Sequence, residues 1–197
     1  MDRLKKTHSR MRPGMKLTRA ELLKLALMSS ENRAAAALAR TFPGGTKAAL
    51  ARMNAKAREL GMNSTHFIDP TGLNSGNVST ANDLIKMVLA AQDYESIHRA
   101  TTSSSHFVKP PGYRPILYRN TNPLVGATSW SIDVSKTGYI SEAGRCLVMK
   151  VNIKQRPVVI VLLDSESKGT RLEDAIRVKE WMESVTVSVL PITPLYS

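Results

Sequence analysis

The chain has 197 residues, 42% of them hydrophobic and 22% charged, which is enough apolar material for one globular core. The longest apolar run in its second half, Val158–Leu163, is far too short to span a bilayer, so no transmembrane segment is expected. The net charge of +12 raises nucleic acid as a partner, but the ten aromatics do not alternate with basic residues and no zinc-finger or RNA-binding signature occurs; no nucleic acid is expected.

Residues 1–16 read as an irregular basic lead-in (Arg3, Lys5, Lys6, Arg10, Arg12, Lys16) broken at Pro13-Gly14. No apolar h-region follows these charges, so the segment does not read as a signal peptide. Thr18 and Glu21 form a capping-box pattern that opens a helix to about Met28. Ser29-Ser30-Glu31-Asn32 interrupts it with side chains that prefer to bond the local backbone, and a second helix runs from about Glu31 to Arg40. After Phe42-Pro43-Gly44-Gly45, a third helix is predicted from Thr46 to Leu60, with Gly61 as its stop. Residues 62–78 form a turn-rich loop around Asp69-Pro70-Thr71-Gly72 and Asn74-Ser75-Gly76-Asn77. Ser79 or Thr80 then caps a helix to about Gln92, and a shorter one covers Tyr94–Ala100.

The pattern changes at this point. Strand-like runs lie at Ser105–Val108, Ile116–Tyr118, Ile132–Lys136, Arg145–Ile153 and Pro157–Leu163, the last two joined at hairpin length. Cys146, the single cysteine, excludes an internal disulfide and reads as a small buried hydrophobe. Arg171–Ser184 is an amphipathic helix, and the tail from 185 to 197, with Pro191 and Pro194, reads as loose. Helices first and strands with a closing helix second make an α+β layout, a helical cluster packed on an antiparallel sheet, with residues 1–184 as one domain.

Two short patterns carry chemistry. Ser30-Glu31-Asn32 is an S-x-N in the break between two helices, and Lys136-Thr137-Gly138 is a K-T-G at the end of a strand. Each is weak alone; their order, separation and placement together match the second and third motifs of acyl-serine enzymes. The stretches Leu25–Ala35, Met53–Ala57, Leu60-Gly61-Met62, Pro70-Thr71-Gly72-Leu73, Asn77–Thr80, Asn120-Thr121-Asn122 and Lys136–Tyr139 extend the match. Through them the chain resembles the D-alanyl-D-alanine endopeptidase branch of the low-molecular-mass penicillin-binding proteins, peptidase family S11.

The resemblance implies the β-lactamase/DD-peptidase-like fold and hydrolysis of D-Ala-D-Ala-type bonds in peptidoglycan. Stem peptides, cross-bridges and β-lactam antibiotics are the implied partners. It implies a periplasmic location for the full-length family and calls for no cofactor. It also assigns roles. Ser30 serves as a proton relay to the leaving amine, Asn32 orients catalytic and substrate groups, and Lys136 stabilises developing negative charge. Thr137 donates to a carboxylate, Gly138 lets an extended substrate lie against the strand, and the Tyr139 N–H supplies half of an oxyanion hole.

The family's first motif, S-x-x-K, supplies the nucleophile. None precedes Ser30: Ser9-Arg10-Met11-Arg12 has arginine, which holds its proton, where the base belongs. Ser165-Glu166-Ser167-Lys168 falls downstream in a connection from strand to helix, where nothing desolvates the lysine. The expectation is therefore an N-terminally truncated domain that lacks its first strands and nucleophile helix and is inactive alone. Its Val158–Leu163 edge would be exposed and prone to aggregation. The main rival is a non-catalytic module that binds peptidoglycan peptides. A β-lactamase would need a positioned deacylating water. His8, His66, His98 and His106 share no ligand spacing, so no metal is expected and surface positions are.

Overall fold

The computed structural model describes residues 9–185. The charges at Arg3, Lys5 and Lys6, His8, and the tail from 186 with Pro191 and Pro194 lie outside the described residues.

Five helices precede the strands: α1 (Arg19–Met28), α2 (Asn32–Arg40), α3 (Gly45–Glu59), α4 (Ala81–Ala91) and α5 (Glu95–Thr101). At the start of α1, the Thr18 hydroxyl oxygen accepts from the Glu21 N–H at 3.2 Å, and Glu21 Oε2 accepts from the Thr18 N–H at 2.8 Å. This box satisfies two donors that the helix start leaves unpaired. Thr18→Ala is expected to lower the unfolding free energy by about 1 kcal/mol in urea denaturation, and an unchanged midpoint would show the box to be idle. At the other end of α3, Gly61 takes φ 69°, the left-handed stop expected there. Thr80 rather than Ser79 caps α4.

The lead-in is irregular, as expected, yet it is docked. Met11 is buried in a cluster with Leu22, Leu25, Met28, Ala34, Val108 and Tyr118. The Arg10 guanidinium stacks 4.1 Å above the Tyr118 ring and donates to the Leu117 carbonyl at 2.5 Å. Nothing in the local pattern of residues 9–12 announces this, because the contacts are to residues from eleven to more than a hundred positions away.

The strands form two antiparallel sheets, β1 (Ser105–Val108) with β2 (Ile116–Arg119), and β3 (Ser131–Ile140), β4 (Gly144–Ile153) and β5 (Arg156–Ser165) in the order β3-β4-β5. β4 is central and alternates. Leu147, Met149, Val151 and Ile153 share a cluster with Ile160, Leu172, Ala175 and Val178, under the closing helix α6 (Lys168–Ser184). Val148 points the other way, to Val134 on β3 and to Val88 and Leu84 of α4. A helix therefore covers each face. The outer edge of β5 has no strand partner among the described residues, and Leu163 on it is 43% exposed.

Two boundaries and the burial of Cys146 differ from the sequence expectation. β3 does not end at Lys136: Thr137 and Gly138 pair with Leu147 and Cys146, so the K-T-G triplet sits inside the strand. The pairing outweighs the poor strand propensity of glycine. α6 starts at Lys168 rather than Arg171, because the Ser167 hydroxyl caps it by accepting from the Thr170 N–H at 3.0 Å. The connection after β5 is thus only two residues long, not an extended loop. Cys146 is half-buried rather than sequestered, its sulfur 3.4 Å from the Ala143 carbonyl oxygen.

Candidate active site

The break between α1 and α2 is a tight reversal. Ser30 adopts φ 52°, a left-handed conformation that costs a non-glycine residue on the order of 1 kcal/mol. The surroundings hold it there. The Glu31 N–H donates to the Leu25 carbonyl at 3.2 Å, and the buried Glu31 carboxylate caps α2 through the Arg33 N–H at 3.3 Å. The Ser9 hydroxyl adds a 2.5 Å bond to that carboxylate. The consequence is that Ser30 is turned away from its own helix axis and toward the sheet.

There it meets β3. The Lys136 ammonium donates to Ser30 Oγ and, at 2.6 Å, to the Thr137 carbonyl. Two motifs separated by more than a hundred residues thus share a hydrogen bond across the seam between helices and sheet. Burial, and after it the neighbouring Arg171 guanidinium, push the Lys136 ammonium down to about 8. Asn32, the first residue of α2, donates its side-chain N–H to the Thr71 carbonyl at 3.2 Å, which ties the S-x-N turn to the 62–78 loop.

That loop is braced by side chains acting as backbone. Asp69 Oδ2 accepts from the Thr71 hydroxyl at 2.7 Å, the Leu73 N–H at 2.9 Å and the Thr71 N–H at 3.1 Å. Asn54 exchanges hydrogen bonds with the Phe67 backbone at 2.8 and 2.7 Å, and Asn77 Oδ1 accepts from the Ile68 and Asp69 N–H groups. A turn-rich composition announced the loop but not these clamps.

The remaining predicted residues are distributed as follows. Thr137 is 8% exposed, its hydroxyl turned inward to donate to Thr121 Oγ1 at 2.7 Å. Gly138 is exposed on β3, which has no further strand beyond it among the described residues. A Cβ there would lie 3.5 Å from that of Cys146, an ordinary van der Waals contact, so the packing against β4 does not itself demand glycine. Tyr139 is 57% exposed, with the Arg145 guanidinium 4.2 Å from its ring centroid.

Sequence reading missed Arg171. It is 4% exposed, donates to the Cys146 carbonyl at 3.1 Å, and its Nε has no hydrogen-bond partner among the described residues. Its position, four before Ala175 on the buried stripe of α6, was the available signal of a buried charge. The other candidates do not join the site. Ser9 is bonded to Glu31, and Ser165 closes β5 opposite Arg145, three residues before an exposed Lys168. His66 lies in the 62–78 loop and His98 on α5, both exposed, while His106 on β1 is half-buried rather than at the surface, with a pKa lowered by burial and by Lys24. Among the described residues no group of three or more His, Cys, Asp or Glu side chains has the arrangement of a metal site, and no helix is long and apolar enough to cross a membrane.

Comparison with known proteins matches this geometry to one family. A family model described as D-alanyl-D-alanine carboxypeptidase, Peptidase_S11, aligns with residues 1–167. The chain is 45% identical over 195 residues to a D-alanyl-D-alanine endopeptidase of Escherichia coli, covering 98% of this chain and 62% of that protein. It superposes on a Streptomyces K15 DD-transpeptidase variant with a TM-score of 0.83 at 26% identity, covering 93% of this chain and 75% of the other. A penicillin-binding protein D2 from Listeria monocytogenes in a cefotaxime-bound form gives a TM-score of 0.73 at 26% identity, covering 83% and 66%. The chain spans about three-fifths of the length of the curated endopeptidases it matches.

Proposed function

Because the chain belongs to the D-alanyl-D-alanine carboxypeptidase family and has the α+β fold of the DD-peptidases and penicillin-binding proteins, we propose that it forms one wall of a serine-type D-Ala-D-Ala peptidase site acting on peptidoglycan. Stem peptides and their cross-bridges are the substrates in this reading, and β-lactams the covalent inhibitors. One observation carries it above the rest: the Lys136 ammonium bonded to Ser30 across the seam.

Each residue then has a task that its surroundings support. With its lone pair engaged by the ammonium, Ser30 keeps its own proton available for a leaving amine nitrogen. Lys136, with a pKa of about 8, remains mostly cationic at neutral pH and can replace that proton as Ser30 gives it up. The same charge stabilises an oxyanion or a substrate carboxylate. Asn32 is held by donating to the Thr71 carbonyl, and the rest of its amide is an orienting group for a substrate carbonyl. Gly138 and Tyr139 offer an unpaired strand edge to an extended peptide, with the Tyr139 N–H as oxyanion donor. The inward Thr137 hydroxyl braces β3 against Thr121 in this state and turns outward only if that bond is exchanged.

Residues 9–185 contain no S-x-x-K in which a serine faces a desolvated lysine, so we propose that this polypeptide by itself binds peptide without cleaving it. In family terms the complete site belongs to a longer protein that works in the periplasm. The test is sedimentation with purified murein sacculi. The chain should cosediment in low salt, and Lys136→Ala should reduce the bound fraction several-fold by removing the anion-facing charge. Equal binding by both forms would remove the K-T-G strand from the function.

A further inference from the structure

A recess of about 320 Å³ opens beside Asn32, between one face of α2 and the 69–73 loop. Asn32, Ala36 and Arg40 recur at four-residue spacing and so line it from the helix side, with Arg33 next to Asn32. Thr71 and Asp69 line it from the loop. Ala36 presents only a methyl group in the middle of this wall, which leaves the space open.

The charge balance of the recess is unequal. Asp69 is buried, and its Oδ2 already accepts from two loop N–H groups and the Thr71 hydroxyl. Arg33 is anchored at one end by donating to the Met11 carbonyl at 2.6 Å. Arg40 is exposed and makes no hydrogen bond or ion pair within the described residues. Among the described residues Arg40 therefore stands unpaired at the wall of a small, mainly apolar recess beside an acidic residue whose Oδ2 is already engaged. A planar guanidinium fork suits a carboxylate, which it can hold with two parallel bonds.

Asn32 belongs to both places. It stands two residues after Ser30 and also forms the rim of the recess, so a peptide lying along the Ser30–Lys136 seam passes its mouth. We propose that this recess is a carboxylate subsite of the peptide-binding site, with Arg40 as the residue that reads the acidic group of the substrate strand. The inference rests on the peptidase reading above and names a specificity element within it. Arg40 also sits in the last turn of α2, where a cation complements the helix dipole. That role alone would affect stability and not ligand choice.

The experiment uses the whole 197-residue chain and two synthetic peptides ending in D-Ala-D-Ala. They are identical except that a glutamate carboxylate upstream of the D-alanines is free in one and amidated in the other. In NMR titrations the free acid should bind roughly tenfold more tightly, with shifts at the Asn32 and Arg40 signals. Arg40→Ala should erase the preference, and Arg40→Lys should restore part of it, while thermal melts of all three proteins report the helix-dipole contribution separately. If acid and amide bind alike, or Arg40→Ala keeps the preference, the subsite is wrong. Binding that still depends on Lys136 in that case leaves the peptidase reading standing. If neither peptide binds at all, both readings fall together.

Discussion

Incubated at pH 7 with a fluorescent penicillin and run on a denaturing gel, the 197-residue polypeptide is expected to emerge without a covalent band. Opening a β-lactam needs a hydroxyl whose proton is taken as the oxygen attacks. Ser30 has a lysine beside it, but at pH 7 that lysine is mainly an ammonium and donates to the oxygen instead of accepting from its proton. Ser9 is bonded to Glu31 with Arg12 in the lysine place, and Ser165 closes β5 with its Lys168 exposed to solvent, where nothing lowers the barrier to losing a proton. In a triad protease, loss of the nucleophile lowers turnover about a million-fold, which puts labelling far below detection. A family member carrying S-x-x-K, labelled in parallel, sets the scale. A penicilloyl mass increment on the intact chain would overturn the assignment and direct attention to whichever serine carried it.

The second large effect concerns stability. A lysine held near 8 in the folded chain against 10.5 when free penalises folding by roughly 3 kcal/mol while both states are protonated. Below pH 8 that penalty is present in full. Between 8 and 10.5 the folded chain releases the proton while the unfolded chain still holds it, so stability rises with pH; above 10.5 the penalty is gone. Lys136→Met removes the buried charge along with the bonds to Ser30 and the Thr137 carbonyl, which contribute about 1 kcal/mol in the other direction. The variant should therefore be about 2 kcal/mol more stable than the parent at pH 7 in urea denaturation, and this gain should disappear by pH 10.5. A variant less stable at pH 7, or a gain independent of pH, would show that Lys136 is not held at an energetic cost for the sake of the site.

What the sequence made legible follows from the range of the forces involved. Capping at Thr18 and Thr80, the glycine stop at Gly61, and the alternation of Val151, Ile153, Val158 and Ile160 are local signals, and the elements they mark are where they were expected, within a residue or two. The α+β class follows from their order. Apart from the start of α6, set by the local Ser167 cap, the misses depend on distant partners. β3 runs through Gly138 because β4 supplies the ladder, Met11 is buried because β2 and α1 enclose it, and Arg171 is buried because β4 offers it a carbonyl. Likewise S-x-N and K-T-G are visible as strings, but nothing local says that Ser30 takes a left-handed turn and faces Lys136, or that Thr137 turns inward to Thr121. The recess beside Asn32 was invisible for the same reason: its two walls are a helix and a loop about thirty residues apart.

The placement of β4 has a consequence for how the seam moves. That strand is flanked by ladders on both edges and covered by α4 and α6 on its faces, so its amides should be among the slowest to exchange with solvent, and β3, zipped to it, shares that rigidity through Lys136. Ser30 belongs to a reversal between two short helices that is held by caps and side-chain bonds rather than by a ladder. Exchange at the Ser30 amide is therefore expected to be faster than at Lys136, which makes the lysine the fixed jaw of a clamp.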